Sequence, residues 1–168
     1  MAEDDTATAA PPPAVLPERV FLVVADESEE MRNALRFACR RAQHSGGRVA
    51  LLAVIEPSDL GNWLGVGQVI EDDERRDAEA RLHRFADEAY RMTGKMPTLH
   101  LREGDRREEL VKLLQEETGV SLLVLGTARG SSPGPIVTHL MANLGKHVRI
   151  PVTLVPGELT PEEIDLVT

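Results

Sequence analysis

Residues 20–28 read VFLVVADES, in which five apolar residues in succession are followed by acidic residues and a serine. An uninterrupted apolar run of this length is typical of a strand that is covered on both faces, as in a parallel sheet. Ser28 then predicts the start of a helix, because its hydroxyl can accept a hydrogen bond from a first-turn N–H, and Glu29 and Glu30 suit the positive end of the helix dipole. The segment predicts a strand that leads into a helix.

Four further apolar runs follow, at residues 49–55, 98–101, 121–125 and 152–155. Stretches with the spacing of helices separate them, and these predict helices after Ser28, over residues 71–93, after Asp105, and over residues 135–147. The alternation predicts an α/β protein with an open, five-stranded, mostly parallel sheet and helices on both faces. This is a three-layer α/β/α arrangement of the flavodoxin-like or adenine-nucleotide alpha-hydrolase-like type.

The chain has 168 residues, a length that predicts a single domain. Residues 1–18 combine acidic residues, alanines and several prolines, so we predict a disordered segment there. The domain is expected to occupy residues 19–156, followed by a turn and a short C-terminal tail over residues 157–168. This tail carries apolar residues that can dock on the domain or on a partner, namely Leu159, Ile164, Leu166 and Val167.

The charge balance is acidic, with 28 Asp and Glu against 19 Lys and Arg. This argues against a nucleic acid partner, which requires clustered cations, and no apolar run is long enough to cross a membrane. The single cysteine, Cys39, cannot form an internal disulfide, and the acidic start does not resemble a secretory signal. From these features we expect a soluble cytoplasmic protein. The histidines lack metal-ligand spacing, so we expect no structural metal.

Ligands of such sheets bind beyond the carboxyl ends of the strands. After the fourth strand come glycines at 126, 130 and 134, the hydroxyls of Thr127, Ser131 and Ser132, and the cation of Arg129. Glycine N–H groups, hydroxyls and a following helix are typical of an anion-binding loop, although a flexible loop that merely starts a helix fits equally well. After the first strand, Asp26 either accepts a hydrogen bond from a sugar or base, or serves as a turn residue.

Several segments in this order resemble the universal stress proteins: Ala25-Asp26-Glu27-Ser28, Val54-Ile55, Gly104, Leu123-Val124-Leu125-Gly126-Thr127, and Ile150-Pro151-Val152-Thr153-Leu154-Val155. The resemblance extends from about residue 19 to residue 156. It implies that ATP is a candidate cofactor, that Asp26 lies near its ribose or base, and that Val54 lies near its base. Residues 126–132 would then face its phosphates.

The nucleotide motif of that family, Gly-x-x-Gly followed after nine residues by Gly-Ser or Gly-Thr, is changed in this chain. The second glycine position holds Arg129, and the final pair aligns with Thr138 and His139. An anion site would therefore be rebuilt from Arg129, Gly130, Ser131 and Ser132.

The resemblance implies a stress-response or regulatory domain that acts by binding, and a homodimer formed through the fifth strand, at Val152, Thr153, Leu154 and Val155. Two alternatives remain open. One is a nucleotide-independent module of the same fold with a regulatory protein partner, and the other is a weak enzyme that hydrolyses ATP or transfers phosphate.

Overall fold

The computed structural model describes residues 17–57, 67–128, 130, 132–143, 146 and 148–168, with the backbone alone at 67–70 and 143. Its strands are β1 (Val20–Val24), β2 (Arg48–Ile55), β3 (Thr98–Glu103), β4 (Val120–Thr127) and β5 (Val152–Pro156). Its helices are α1 (Glu29–Ser45), α2 (Gly67–Thr93), α3 (Arg106–Glu116), α4 (Pro135–Asn143) and α5 (Pro161–Val167). Strands and helices alternate along the chain.

All neighbouring strands of the sheet are parallel, and their order is β3-β2-β1-β4-β5. The predicted fold class is confirmed. From β1 the chain moves outward to β2 and β3, and it then returns to the other side of β1 for β4 and β5. The direction of winding reverses between β1 and β4, which is where sheets of this type open a crevice at the carboxyl ends of their strands.

Helices cover both faces of the sheet. Successive residues of a strand point to opposite sides, and in the buried strands the residues on both sides are apolar. Phe21 and Val23 of β1 pack in one core with α1, α2 and α5, while Leu22 and Val24 pack in the other core with α3 and α4. Cys39 is buried on α1, and this burial raises the pKa of its thiol to about 12, so it packs as a neutral apolar group. In the described ranges, no helix has the length and hydropathy that a membrane span needs.

Side-chain caps fix the starts of α1 and α3, two of the helices that leave the carboxyl edge of the sheet. The Ser28 hydroxyl accepts a hydrogen bond from the Met31 N–H at 3.2 Å, and Asp105 accepts from the N–H groups of Arg107 and Glu108. Both caps occur where the sequence predicts helix starts. The described part of α4 ends at Asn143, short of the predicted limit, and residues 144, 145 and 147 lie outside the described ranges.

The C-terminal residues form a helix, α5, where the sequence analysis predicted only a turn and a tail. Thr160 and Glu163 form a reciprocal capping box, and Ile164 is fully buried in the core of the α1 face. The Asp165 carboxylate accepts hydrogen bonds from both Arg36 and Arg40 of α1. These tertiary contacts stabilise a helix whose length alone is too short for stability in water.

Candidate ligand-binding crevice

A crevice of about 140 Å³ opens where β1 and β4 end, at the reversal of strand order. Val24 and Leu125 contribute its apolar part, Asp26 and Arg106 contribute polar groups, and residues 133–137 bring the start of α4 to its rim. Ligand pockets typically measure about 300–1,000 Å³. The crevice therefore has room for one portion of a nucleotide, and the rest of such a ligand would extend over the rim.

Asp26 is held at the edge of the crevice by Ser28. The Oδ1 atom of Asp26 accepts hydrogen bonds from the Ser28 N–H at 2.9 Å and from the Ser28 hydroxyl at 2.5 Å. Ser28 also caps α1, so the position of the Asp26 carboxylate is coupled to the start of that helix. The turn interpretation of these residues is correct, and it leaves Asp26 Oδ2 on the side of Arg106.

Arg106, the first residue of α3, brings a cation to the same edge. Its Nη1 atom lies 3.6 Å from Asp26 Oδ2, and its Nη2 atom lies 3.1 Å from the Glu56 carboxylate, which follows β2. Arg106 thus connects the loops that follow β1 and β2 with the start of α3. No sequence motif singles out Arg106; its signal is its position directly after the capping residue Asp105, where the chain leaves the carboxyl edge of the sheet.

Gly126 lines the crevice, and its missing side chain has a packing reason. A Cβ at this position would overlap the backbone carbonyl of Glu30, in the first turn of α1. The absence of a side chain therefore allows α1 to pack closely against β4.

Two other strand residues of the predicted site lie outside the crevice lining. Val54 is half-buried and lines a neighbouring groove with Glu56 and Arg81. Thr127 is half-buried at the end of β4, where its carbonyl accepts a hydrogen bond from the Gly157 N–H at 3.0 Å. The structure thus brings Asp26 and Gly126 together at one crevice and leaves Val54 and Thr127 beside it.

The loop after β4 is described only in part. Arg129 and Ser131 lie outside the described residues. Gly130 is exposed with a φ of 111°, a value that L side chains rarely adopt, and Ser132 is exposed. Neither Gly130 nor Ser132 contributes to the described crevice lining.

Thr138 and His139 lie on α4, outside the described crevice lining. Thr138 is exposed, and its N–H and its hydroxyl both donate to the Gly134 carbonyl, at 3.0 and 2.9 Å. This hydrogen bond engages the hydroxyl at the start of the helix. His139 is half-buried in the same turn.

The start of α4 contributes an electropositive rim to the crevice. The first turns of α1, α3 and α5 carry glutamates, whereas the first turns of α2 and α4 carry no acidic residue, and the start of α4 lines the crevice. The first N–H groups of a helix lack partners within it, and the helix dipole favours a negative charge there. Across the described ranges, no three His, Cys, Asp or Glu side chains are grouped as a metal ion would require.

Comparison with known proteins gives one family. A sequence model of the universal stress protein family matches residues 18–156. No curated protein sequence matches the chain significantly.

Solved structures of that family share the fold. The universal stress protein UspA from Lactobacillus plantarum is 17% identical with a TM-score of 0.68, over 83% of this chain and 99% of that chain. A universal stress protein solved in complex with cAMP is 21% identical with a TM-score of 0.58, over 82% of this chain and 96% of that one. The universal stress protein from Archaeoglobus fulgidus, in complex with dAMP, is 18% identical with a TM-score of 0.58, over 82% of this chain and 97% of that chain.

Proposed function

The chain belongs to the universal stress protein family, and we propose that it is a regulatory domain that binds an adenine nucleotide at the crevice between β1 and β4. The observation that carries this proposal is the crevice itself, which opens at the reversal of strand order with Asp26 oriented at its edge. Two structural relatives were solved with adenine nucleotides, cAMP in one and dAMP in the other, which supports this ligand class.

The groups around the crevice suit the two ends of a nucleotide. Asp26 Oδ2 accepts a hydrogen bond from a ribose hydroxyl or from the amino group of the base, because Ser28 engages only Oδ1. The start of α4 suits the phosphate, since first-turn N–H groups and the helix dipole favour an anion. The apolar surface of Val24 and Leu125 lies between these ends.

The charge of the crevice favours a ligand with one phosphate. Asp26 and Glu30 both line it, so its described lining carries two acidic residues against the one cation of Arg106. Electrostatic repulsion grows with the charge of the ligand. We therefore expect AMP or cAMP to bind more tightly than ATP.

Calorimetric titration with AMP, cAMP and ATP tests this proposal. We expect micromolar binding of AMP, and Asp26→Ala should weaken it by about tenfold, since a hydrogen bond to a charged group is worth about 1.5–3 kcal/mol. Asp87→Ala is the matched control, because Asp87 is exposed on α2 and its substitution changes the net charge equally. Absence of binding at millimolar nucleotide, or equal affinity of the two variants, contradicts the proposal.

The domain is also proposed to form a homodimer through β5, which is an edge strand of the sheet. Leu154 of β5 is 40% exposed, and Met141 of α4 is 62% exposed beside it. Both line an apolar groove of about 80 Å³ with Leu125, Val137, Leu140 and Val152. An unpaired edge strand is a template for a second strand, and β5 of a second copy would cover these apolar side chains.

The molar mass in solution tests the dimer by light scattering after gel filtration. The wild type is expected at twice the monomer mass, and Leu154→Glu should give the monomer because it places a charge in the paired edge. Leu166→Glu is the control, since Leu166 is 86% exposed on α5 and does not line this groove. A monomeric wild type contradicts this part of the proposal.

A further inference from the structure

We infer that Arg106 sets the preference of the crevice for anionic ligands over neutral ones. This inference rests on the proposed function, because it assigns a specificity-determining residue to that same site. It concerns a cation at the start of α3, whereas the sequence pointed to the cation of Arg129 and to glycines in the loop after β4.

Arg106 lies where a ligand in the crevice can contact its side chain, so its role is not limited to stabilising the fold. Its side chain lines the crevice, and it also lines the adjacent groove formed with Glu27, Glu56 and Arg81. The side chain is 30% exposed, so a ligand in the crevice can reach it. Its two ion pairs engage Nη1 with Asp26 and Nη2 with Glu56. A guanidinium has five N–H donors in a rigid fork, so donors remain for a ligand oxygen.

The charge balance of the described lining gives Arg106 its effect. Its charged members are Asp26, Glu30 and Arg106. Without Arg106, the charged groups of this lining would be carboxylates alone, which repel a phosphate but leave a neutral nucleoside unaffected. Removal of the cation should therefore weaken an anionic ligand selectively.

Glu56 holds the guanidinium in this position. Its carboxylate pairs with Nη2 at 3.1 Å, and its other oxygen lies 3.4 Å from the Arg106 backbone nitrogen. The Asp26 contact, at 3.6 Å, is longer. Arg106 is thus anchored to the loop after β2 while its other Nη faces Asp26 and the crevice.

The test compares the dissociation constants of AMP and adenosine, measured by calorimetry, for the wild type and for Arg106→Gln. We expect the wild type to prefer AMP, and the variant to reduce this preference by about five- to tenfold, the effect of one charge about 4 Å from the phosphate at an effective dielectric constant of about 60–80. Arg106→Lys should restore most of the preference. Arg107→Gln is the matched control, because this neighbouring arginine pairs with Asp105 and lines neither the crevice nor the groove.

The outcomes separate the inference from the proposed function. If Arg106→Gln weakens AMP and adenosine by the same factor, Arg106 has a structural role and the inference is overturned, while the proposed function stands. The inference is also overturned if Arg106→Gln binds AMP normally and the ratio of its dissociation constants for AMP and adenosine equals that of the wild type. If the wild type binds neither AMP nor adenosine, the proposed function itself fails.

Discussion

Gly126 at the end of β4 packs directly against the backbone of Glu30 in the first turn of α1, with no space for a Cβ between them. This contact sets the distance between the strand and the helix on either side of the crevice. A glycine that a sequence motif would assign to phosphate binding is thus required by the fold before any ligand arrives.

Gly126→Ala is expected to destabilise the domain by about 1–3 kcal/mol, the usual cost of inserting a methyl group into a packed contact. Urea unfolding followed by circular dichroism measures this free energy. Gly119→Ala is the control, because a Cβ there meets open space. Equal stability of the two variants would show that the contact between Gly126 and Glu30 is not tight.

Ser28→Ala should reduce both stability and nucleotide affinity, because Ser28 caps α1 and also orients Asp26. Loss of a cap costs about 1 kcal/mol. Ser28→Thr keeps the hydroxyl and should restore both properties. Chemical denaturation and calorimetry on the same preparations measure the two effects. If Ser28→Ala lowers stability but binds AMP normally, Ser28 is not needed to orient Asp26 for the ligand.

The link between α5 and α1 should depend on pH. Hydrogen bonds from Arg40, and then from Arg36, hold the pKa of the Asp165 carboxyl well below its ordinary value. A carboxylate with a lowered pKa stabilises the folded state above its ordinary pKa of about 4, and the contribution is lost as the pH falls below that value.

Asp165→Asn should therefore lower the melting temperature at pH 7, and the difference from the wild type should shrink at about pH 3 and below. Asp87→Asn, on an exposed part of α2, controls for the change in net charge. A difference that is the same at both pH values would contradict the assignment of this energy to the ionised carboxylate.

Ile164→Ala should cost about 2–5 kcal/mol, because Ile164 is fully buried between α5 and the α1 face of the sheet. Leu166→Ala, two residues further on the same helix, removes an exposed side chain and should change the free energy of unfolding by about 0.5 kcal/mol or less. Denaturant titration of both variants measures the contrast. Similar costs would mean that α5 does not dock through Ile164.

The sequence predicts the sheet well because its buried strands are continuous apolar runs, such as residues 20–24 and 122–125. It misses α5, although Thr160 and Glu163 already have the spacing of a capping box. The reason is that a seven-residue helix depends on tertiary contacts, here those of Ile164 and Asp165 with α1, and no local pattern encodes them.

The candidate site is predicted in part for a similar reason. Asp26 follows β1 at the reversal of strand order, so topology alone places it at the crevice. A motif alignment gives the position of a residue along the chain but not where its side chain points. The Thr138 hydroxyl donates to the Gly134 carbonyl at the start of α4. Arg106 reaches the crevice from the start of α3, so only the packing of β3 and α3 reveals it.

Amide chemical shifts of isotope-labelled protein during a titration with AMP locate the ligand most directly. The largest changes are expected at Asp26, Ser28, Gly126 and the start of α4, with saturation at micromolar AMP. Absence of changes at millimolar AMP would contradict nucleotide binding. Changes concentrated at Lys146 and Arg149, in the groove of about 510 Å³ that these residues form with the end of α3, would contradict the placement of the site at the crevice.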